Sequence, residues 1–475
     1  MEQNRILLCA PKSGSGKTMI TCGIITLLKK KGLSVAAFKC GPDYIDPMFH
    51  RQVLGVPSGN LDTYFTEEET LRFLLKNKAE KAQITVIEGV MGYYDGLGGV
   101  RTDASAYDVA RVTKTPVILV IDAKGSSLSL AAIVKGFKEY KEDSNIKGVI
   151  FNRMNGMIYE RLKETVEIET GVRVLGYVPE IKDLQVPSRH LGLVAPEEVR
   201  SYQTFSEVLA DAMGKTLDLD GIIALSKEAP QVEGAAPKIP ELSYQPGEEK
   251  VRIGVAFDQA FSFYYTENFD LAGQMGAEIV RFSPLEDKEI PEGVSGLVFG
   301  GGYPEIYTKE LAENTSMLES VKKAIESGMP CIAECGGFMY LGQTLEDENG
   351  EIYKLTGVLN GEGFPTHKLG RFGYIEAQIQ KDGLLGKAGE VIRGHEFHYW
   401  DSTENGNDFL AKKPVGERSW ECIFHTQSLA AGFPHFYFYN NPEMLFRFLK
   451  KAKEYRTGEN GRIEKETSDD PEENV

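Results

Sequence analysis

Up to about residue 225, short apolar runs rich in β-branched residues alternate with amphipathic stretches. The runs fall at 6–10, 34–38, 84–87, 117–121, 148–151 and 172–176, with room between them for crossover helices. Continuous apolar strands joined through helices predict an α/β domain with a mostly parallel sheet covered on both faces. The first helix is predicted over 19–31, where Ile20, Ile24, Leu27 and Leu28 share a face and Gly32 follows. Residues 227–250 carry four prolines and neither the helical nor the strand period, which predicts a linker. The alternation restarts at Val251 with RIGVAF, AEIVRF, SGLVFGGG and MPCIAEC, and so predicts a second α/β domain. Within it a helix is predicted over 315–327, with Leu318, Val321 and Ile325 as its apolar stripe, Thr315 or Ser316 as its cap and Gly328 at its end. Beyond 450 the chain turns polar and acidic and is expected to form no core. The expected division is therefore 1–226, a linker 227–250, 251–450 and a tail 451–475.

Composition narrows the function classes. The 475 residues carry 53 Lys and Arg against 70 Asp and Glu, a formal charge of −17 that disfavours a nucleic-acid backbone or an anionic membrane surface as partner. No apolar stretch approaches the roughly 18 residues of a membrane span, and the apolar run at 6–10 is too short for a signal peptide. Six scattered cysteines form no CxxC pair, so a reduced, cytoplasmic protein is expected.

Two stretches carry chemistry. The first, PKSGSGKT at 11–18, stands between a predicted strand and a predicted helix. A nucleotide triphosphate needs backbone N–H groups around its oxygens, a helix N-terminus aimed at it, a bridging lysine and a hydroxyl on Mg2+. Ser13, Gly14, Ser15, Gly16, Lys17 and Thr18 can supply these for ATP. Pro11 replaces the first glycine of the GxxxxGK[ST] pattern, and Lys12, five residues before Lys17, resembles the extra lysine of variant P-loops. Mg2+ also needs one or two carboxylates from other strands. Asp43, Asp46 and Glu88 stand at or just past predicted strand ends, where ligands bind in parallel sheets; Asp95 lies further along the second of these loops.

The second stretch is Ile332-Ala333-Glu334-Cys335-Gly336-Gly337, a strand running into a turn of small residues, as in a nucleophile elbow. There Cys335 is the candidate nucleophile, and the N–H of Gly336 with one from the Gly300-Gly301-Gly302 loop can form an oxyanion hole. The other cysteines read as small buried hydrophobes. Among seven histidines, His435 suits a base delivered by a late loop. His395 and His398 invite a zinc reading, but their spacing of three is not the i, i+4 pair of a metalloprotease helix.

Together APKSGSGKT, FKCGPDYIDPMFH, IEGVMGYYDG, GGGYPE, AECGGFMYLG, RGHEFHY and the late His435 resemble the cobyrinic acid a,c-diamide synthase family over nearly the whole chain. The resemblance implies an N-terminal ATP-dependent amide-forming P-loop domain fused to a class I glutamine amidotransferase α/β domain. It implies ATP, L-glutamine and a corrinoid or related tetrapyrrole polycarboxylate as substrates, Mg2+ as cofactor, and leaves a homodimer open. By that resemblance Cys335 and His435 are the glutaminase nucleophile and base, with Gly301 and Gly336 at the oxyanion. Lys17 and Thr18 look like ATP and Mg2+ contacts, Asp43 and Glu88 like metal or nucleotide carboxylates, and Tyr44, Asp46 and Asp95 like substrate-side residues. Most class I glutaminases orient the histidine with a Glu two residues on; here Tyr437 stands there, which leaves a Cys–His dyad with its orienting group open. Hydrogenobyrinic acid and nickel sirohydrochlorin are alternative macrocycles. A P-loop ATPase switch with an inactive amidotransferase-like partner domain is the alternative from another class.

Overall fold

The computed structural model describes residues 2–181, 196–366 and 369–458, with the backbone alone for 196–200. The chain divides between Ala236 and Pro237 into two compact units.

The first unit is built on a seven-stranded sheet, ordered β3-β2-β4-β1-β5-β6-β7. Its strands are β1 (Arg5–Cys9), β2 (Val35–Cys40), β3 (Ser58–Leu61), β4 (Ile84–Glu88), β5 (Val117–Asp122), β6 (Ile146–Asn152) and β7 (Arg173–Val178). Every pairing is parallel. Central β1 is apolar on both faces, and Ile6, Leu7 and Leu8 have no exposed surface, as expected where helices cover a sheet from both sides. Helix α1 (Lys17–Lys30) buries Ile20, Ile24, Leu27 and Leu28 against that core.

Six of the seven strands coincide with the apolar runs. The exception is β3, whose sequence Ser-Gly-Asn-Leu has a single apolar residue and no period to read. Pairing makes it a strand: Ala37 to Cys40 of β2 register with Ser58 to Leu61.

The second unit contains a six-stranded sheet ordered Glu278–Phe282, Arg252–Ala256, Gly296–Phe299, Cys331–Glu334, Leu429–Gly432 and Phe424–His425. All neighbours are parallel except the last pair. A five-stranded antiparallel sheet follows in the order Ser419–Cys422, Phe409–Lys412, Phe372–Ile379, Val391–Phe397 and His435–Phe436. The helix Thr315–Glu326 forms as its stripe predicts and Gly328 follows it at φ 89°, but its N-cap is Asn314, not Thr315 or Ser316. Asn314 uses its amide to hold the carbonyls of Pro284 and Asp287 at 2.8 and 2.7 Å, so it serves a loop rather than the helix end.

The division between the units falls inside the 227–250 stretch, and each half of that stretch is tied to its own unit. Val232 exchanges two hydrogen bonds with the Gln3 side chain at 3.2 and 2.9 Å, whereas Leu242 N donates to Met275 O and Tyr244 to Gly276 O, both at 2.9 Å. Prolines remove the helical period, but extended backbone can still dock on a neighbour and satisfy its polar groups there. At the C-terminus the helix Pro442–Thr457 runs past the boundary at 450, because Ala452 is fully buried and Tyr455 packs on the second core. The remainder of the acidic stretch, 459–475, lies outside the described residues. No helix among the described residues is long and apolar enough to cross a membrane.

Arg5 anchors the first half of the 227–250 stretch. It is fully buried and donates to Thr115 Oγ1 at 3.1 Å and to the carbonyls of Gln3, Thr113 and Pro230 at 2.8, 2.7 and 2.6 Å. Burial lowers its pKa to about 10. Arg5→Leu leaves these acceptors without their donor and should cost about 2–3 kcal/mol, read as a lower urea midpoint of the first unit.

Two candidate active sites

The first site lies at the carboxyl ends of β1, β2 and β4. Parallel register aligns Leu8 of β1 with Glu88 of β4, and Glu88 with Lys39 of β2. The glycine loop leaves β1 and enters α1 through Gly16, at φ 91°, with Gly14 also left-handed at φ 77°. A Cβ on Gly16 would stand 2.3 Å from Asn152 Nδ2, which itself donates to Ser15 O at 2.9 Å. Asn152, at the end of β6, therefore braces the loop. Ser15 Oγ closes the loop on Lys12 O at 2.9 Å. Lys17 is buried, and its Nζ reaches Met91 O at 2.5 Å and Lys12 O at 3.5 Å. Burial, then the charge of Lys39, pulls its pKa below the ordinary lysine value, and an anion brought to the loop would raise it again. Ser13, Gly14, Gly16, Lys17, Thr18, Lys39 and Asp43 line one cavity of about 470 Å3.

Behind the loop stands a buried ionic cluster. Glu88 Oε1 accepts from Thr18 Oγ1 at 2.5 Å and from Lys39 Nζ at 2.8 Å, while its Oε2 faces His50 Nε2 at 3.5 Å. Lys39 also pairs with Asp46 Oδ2 at 2.6 Å. Burial alone would push Glu88 up and Lys39 down, but their mutual charges, with Asp46 and His50, reverse both shifts: the carboxyl is depressed and the ammonium raised. Lys39 and His50 escape a reading of motifs. The signal for Lys39 is a charged residue inside an otherwise apolar strand.

The remaining acidic candidates differ in what they already do. Asp43 Oδ1 accepts from the N–H groups of Ile45 and Asp46 at 2.8 and 3.2 Å, opening the helix Ile45–Gln52. Asn60 of β3 holds the carbonyls of Gly41 and Asp43 at 2.8 and 2.7 Å, so the unpredicted strand clamps this loop. Tyr44, at the helix N-cap, is largely buried. Asp95 accepts from Gly92 N at 2.9 Å and shapes the 89–96 loop, which has no space for a Cβ at Gly92 between Asp95 and Pro11 O.

The second site centres on Cys335, which joins the strand Cys331–Glu334 to the helix Gly336–Leu341 at φ 51°, ψ −108°. Left-handed backbone at a non-glycine residue is strained and is held only where its surroundings over-determine it. Here Cys335 N donates to Gly432 O at 2.8 Å and Gly337 N to Gly300 O at 2.9 Å. A Cβ at Gly336 would lie 2.8 Å from Pro304 Cδ, and one at Gly337 2.3 Å from Phe299 O. Burial, then the charge of Glu305, raises the thiol's pKa, with the Gly336 N–H acting against them.

His435 lies on the same side of Gly301 as this cysteine. It is buried, and a Cβ built on Gly301 would meet His435 Cε1 at 2.5 Å, His435 Nε2 at 3.1 Å and Cys335 Cβ at 3.4 Å. Glycine at 301 leaves that space to the ring and the Cys335 side chain. The other edge of the ring faces Glu334, with Nδ1 3.4 Å from its Oε2. Burial and the proximity of His435 lower the pKa of His395, its cross-strand partner, to about 3.

The RGHEFHY stretch is tied into a hydrogen-bonded frame. Glu396 is fully buried and holds His398 Nε2 at 2.9 Å, Trp420 Nε1 at 3.2 Å and Arg371 Nε at 3.2 Å. His398 stacks on Phe433 with 3.9 Å between ring centroids, supporting the turn that delivers His435. Among the described residues no group of three or more His, Cys, Asp or Glu side chains is placed to hold a metal ion.

Comparison with known proteins agrees with this two-site plan. Residues 6–194 match the model of the CobQ/CobB/MinD/ParA nucleotide binding domain, and residues 252–443 that of the CobB/CobQ-like glutamine amidotransferase domain. The chain is 42% identical over 456 residues to a cobyrinate a,c-diamide synthase of Listeria innocua, covering 95% of this chain and 100% of that protein. It is 43% identical to the Listeria monocytogenes protein of the same name, over 93% of this chain and 98% of that protein. The Salmonella typhimurium one is 39% identical, over 94% and 98%. With a phosphate loop and a strained cysteine in one chain, and identity of this order along nearly all of it, the chain belongs to the cobyrinate a,c-diamide synthase family.

Proposed function

We propose that this protein is a glutamine-dependent ligase that amidates the a and c side-chain carboxylates of cobyrinic acid at the expense of ATP, a step of cobalamin biosynthesis. The observation that carries the reading is the coexistence of a phosphate loop beside Glu88 and a Cys–His pair nested on Gly301. A carboxylate is a poor electrophile. Its oxygen attacks the γ-phosphorus of ATP, giving an acyl phosphate and ADP; ammonia then attacks the acyl carbon and phosphate leaves. Lys17 and the α1 N-terminus would offset the charge that builds up on the transferred group.

The pair Thr18 Oγ1 and Glu88 Oε1, 2.5 Å apart at a helix N-terminus, suits a hard cation that keeps several waters. Thr18, Glu88 and Asp43 are the residues we assign to Mg2+, which would supply neutralisation of phosphate charge. Tyr44, Asp46 and Asp95 are assigned to the macrocycle side. Asp46 would then exchange part of its bond with Lys39 for substrate.

At the second site Cys335 Sγ gives its proton to His435 Nε2 and attacks the amide carbon of glutamine. The oxyanion faces the N–H groups assigned to Gly301 and Gly336. His435 returns the proton to the leaving nitrogen, ammonia departs, and water cleaves the thioester to glutamate. Six free, buried cysteines suit a reducing cytoplasm.

Cys335→Ala should abolish glutamate release and glutamine-dependent amidation while ammonium salts still support amidation. Gly301→Ala should behave alike, with a loss of about 100-fold or more, because the added methyl group fills the space His435 occupies; wild-type glutaminase in either variant would sink the assignment. Lys17→Ala, or removal of divalent cations with a chelator, should stop amidation from both nitrogen sources. Purified enzyme offered cobyrinic acid, hydrogenobyrinic acid and nickel sirohydrochlorin should amidate the first, with mass spectrometry counting two amides. Turnover of another macrocycle in its place would overturn the substrate assignment.

A further inference from the structure

We propose that Glu334, the residue immediately before the nucleophile, is the positioning residue for His435 and does the work that a carboxylate two residues after the histidine does in related glutaminases. The inference rests on the Cys–His reading of the preceding subsection. Three observations carry it.

The first is the orientation of the imidazole. Its Cε1–Nε2 edge is turned to Gly301 and the Cys335 side, as the short distances from a Gly301 Cβ require, and its Nδ1 is turned to Glu334 Oε2 at 3.4 Å. The nucleophile's side and the orienter thus sit on opposite edges of one ring, the arrangement that lets one nitrogen take a proton while the other keeps its own. The second is that Glu334 grips the backbone of the same segment. Its other oxygen, Oε1, accepts from Phe436 N at 3.1 Å, so one carboxylate spans the ring of His435 and the peptide that follows it. The third is that Tyr437, at the position where an acid is expected, is buried and packs edge-on against Tyr265 with 5.1 Å between centroids. A phenol in that packing offers no negative charge to an imidazolium.

The geometry also explains why a strand residue can act on a loop histidine. Parallel pairing registers Glu334 with Gly432, and the chain then turns through Phe433 and Pro434 to bring His435 back over the strand end. A proton on Nδ1, which stands 3.4 Å from Glu334 Oε2 without hydrogen-bond geometry in the resting structure, would leave Nε2 unprotonated on the Cys335 side. When the Cys335 proton arrives, the carboxylate steadies the imidazolium, and the 3.4 Å separation is a contact that can tighten in the substrate complex. The other ionisable groups around the pair are Cys335 itself, His395 across the strand, Tyr264 near Glu334, and Glu305 and Glu396, whose charges reach the thiol. Glu334 is a carboxylate that the structure pairs with the histidine.

The test uses the full chain and compares Glu334→Gln, Glu334→Asp and His435→Ala for glutamate release, with ammonium-dependent amidation in the same preparations as the measure of an intact fold. Glu334→Gln keeps the shape and removes the charge. It should lower kcat for glutamine by about 100-fold or more with little change in KM, by analogy with loss of the acid in a Ser–His–Asp unit. Without the carboxylate the imidazolium is less favoured, so the acid limb of kcat/KM should move to lower pH. Alkylation of Cys335 by iodoacetamide at neutral pH, followed at that residue by mass spectrometry, should slow. Glu334→Asp should recover part of the rate and return the acid limb toward its original position. If Glu334→Gln keeps glutaminase within about two-fold of the parent, or loses it with the acid limb unmoved and Glu334→Asp equally poor, Glu334 is only a structural residue. Retention of glutaminase by His435→Ala would instead overturn the dyad reading on which the proposal stands.

Discussion

Parallel strand pairing is the constraint on which both centres depend. A parallel sheet delivers successive loops to one edge, and the register decides which side chains meet there. In the first unit β1, β4 and β2 align Leu8, Glu88 and Lys39, so the glycine loop emerges beside a carboxylate and a lysine remote in sequence. In the second, Phe299, Ala333 and Ala431 register across three neighbouring strands, and the loops that follow them carry Gly301, Cys335 and His435. One architecture thus sets a glycine loop beside buried charges in one unit and a strained cysteine near a buried histidine in the other.

The two centres use buried charge differently. Around Glu88 the ions are compensated in place, with Lys39 shared between Glu88 and Asp46 and Thr18 bonded to the same carboxylate. Burying such ions is costly unless each finds partners, and this cluster keeps charges in position for a polyanionic ligand. Around Cys335 the surroundings work against the thiolate, through burial and the nearby carboxylates. On the proposed reading, reactivity there comes from a base that acts when substrate arrives, so the orientation of His435 matters more than any standing charge on sulfur.

Much of this was legible residue by residue. Apolar runs located six of the seven strands of the first sheet, since each is buried on both faces and leaves a continuous signal. Gly14, Gly16, Lys17 and Thr18 were readable because the loop needs left-handed backbone, an ammonium and a hydroxyl at set spacings. Cys335 was readable from the small residues that follow a strand. Strand β3, the Asn314 cap and the docking of residues 227–250 were not, because each is defined by a partner far away in the chain. The His395–His398 pair was legible as unusual residues, but its use as a frame around Glu396 and Phe433 appears only once Trp420 and Arg371 are brought in.

Local periodicity, and the residue types that one backbone turn demands, were enough to read the α/β class, the glycine loop and a candidate nucleophile. Tertiary structure decided which distant side chains complete each centre: Lys39 and His50 at Glu88, Asn152 at Ser15, and Glu334 at His435. The physical reason is that the loops and helices between two strands conceal their register. A one-residue shift in pairing would turn Glu88 or Glu334 to the other face of its sheet without altering any local pattern.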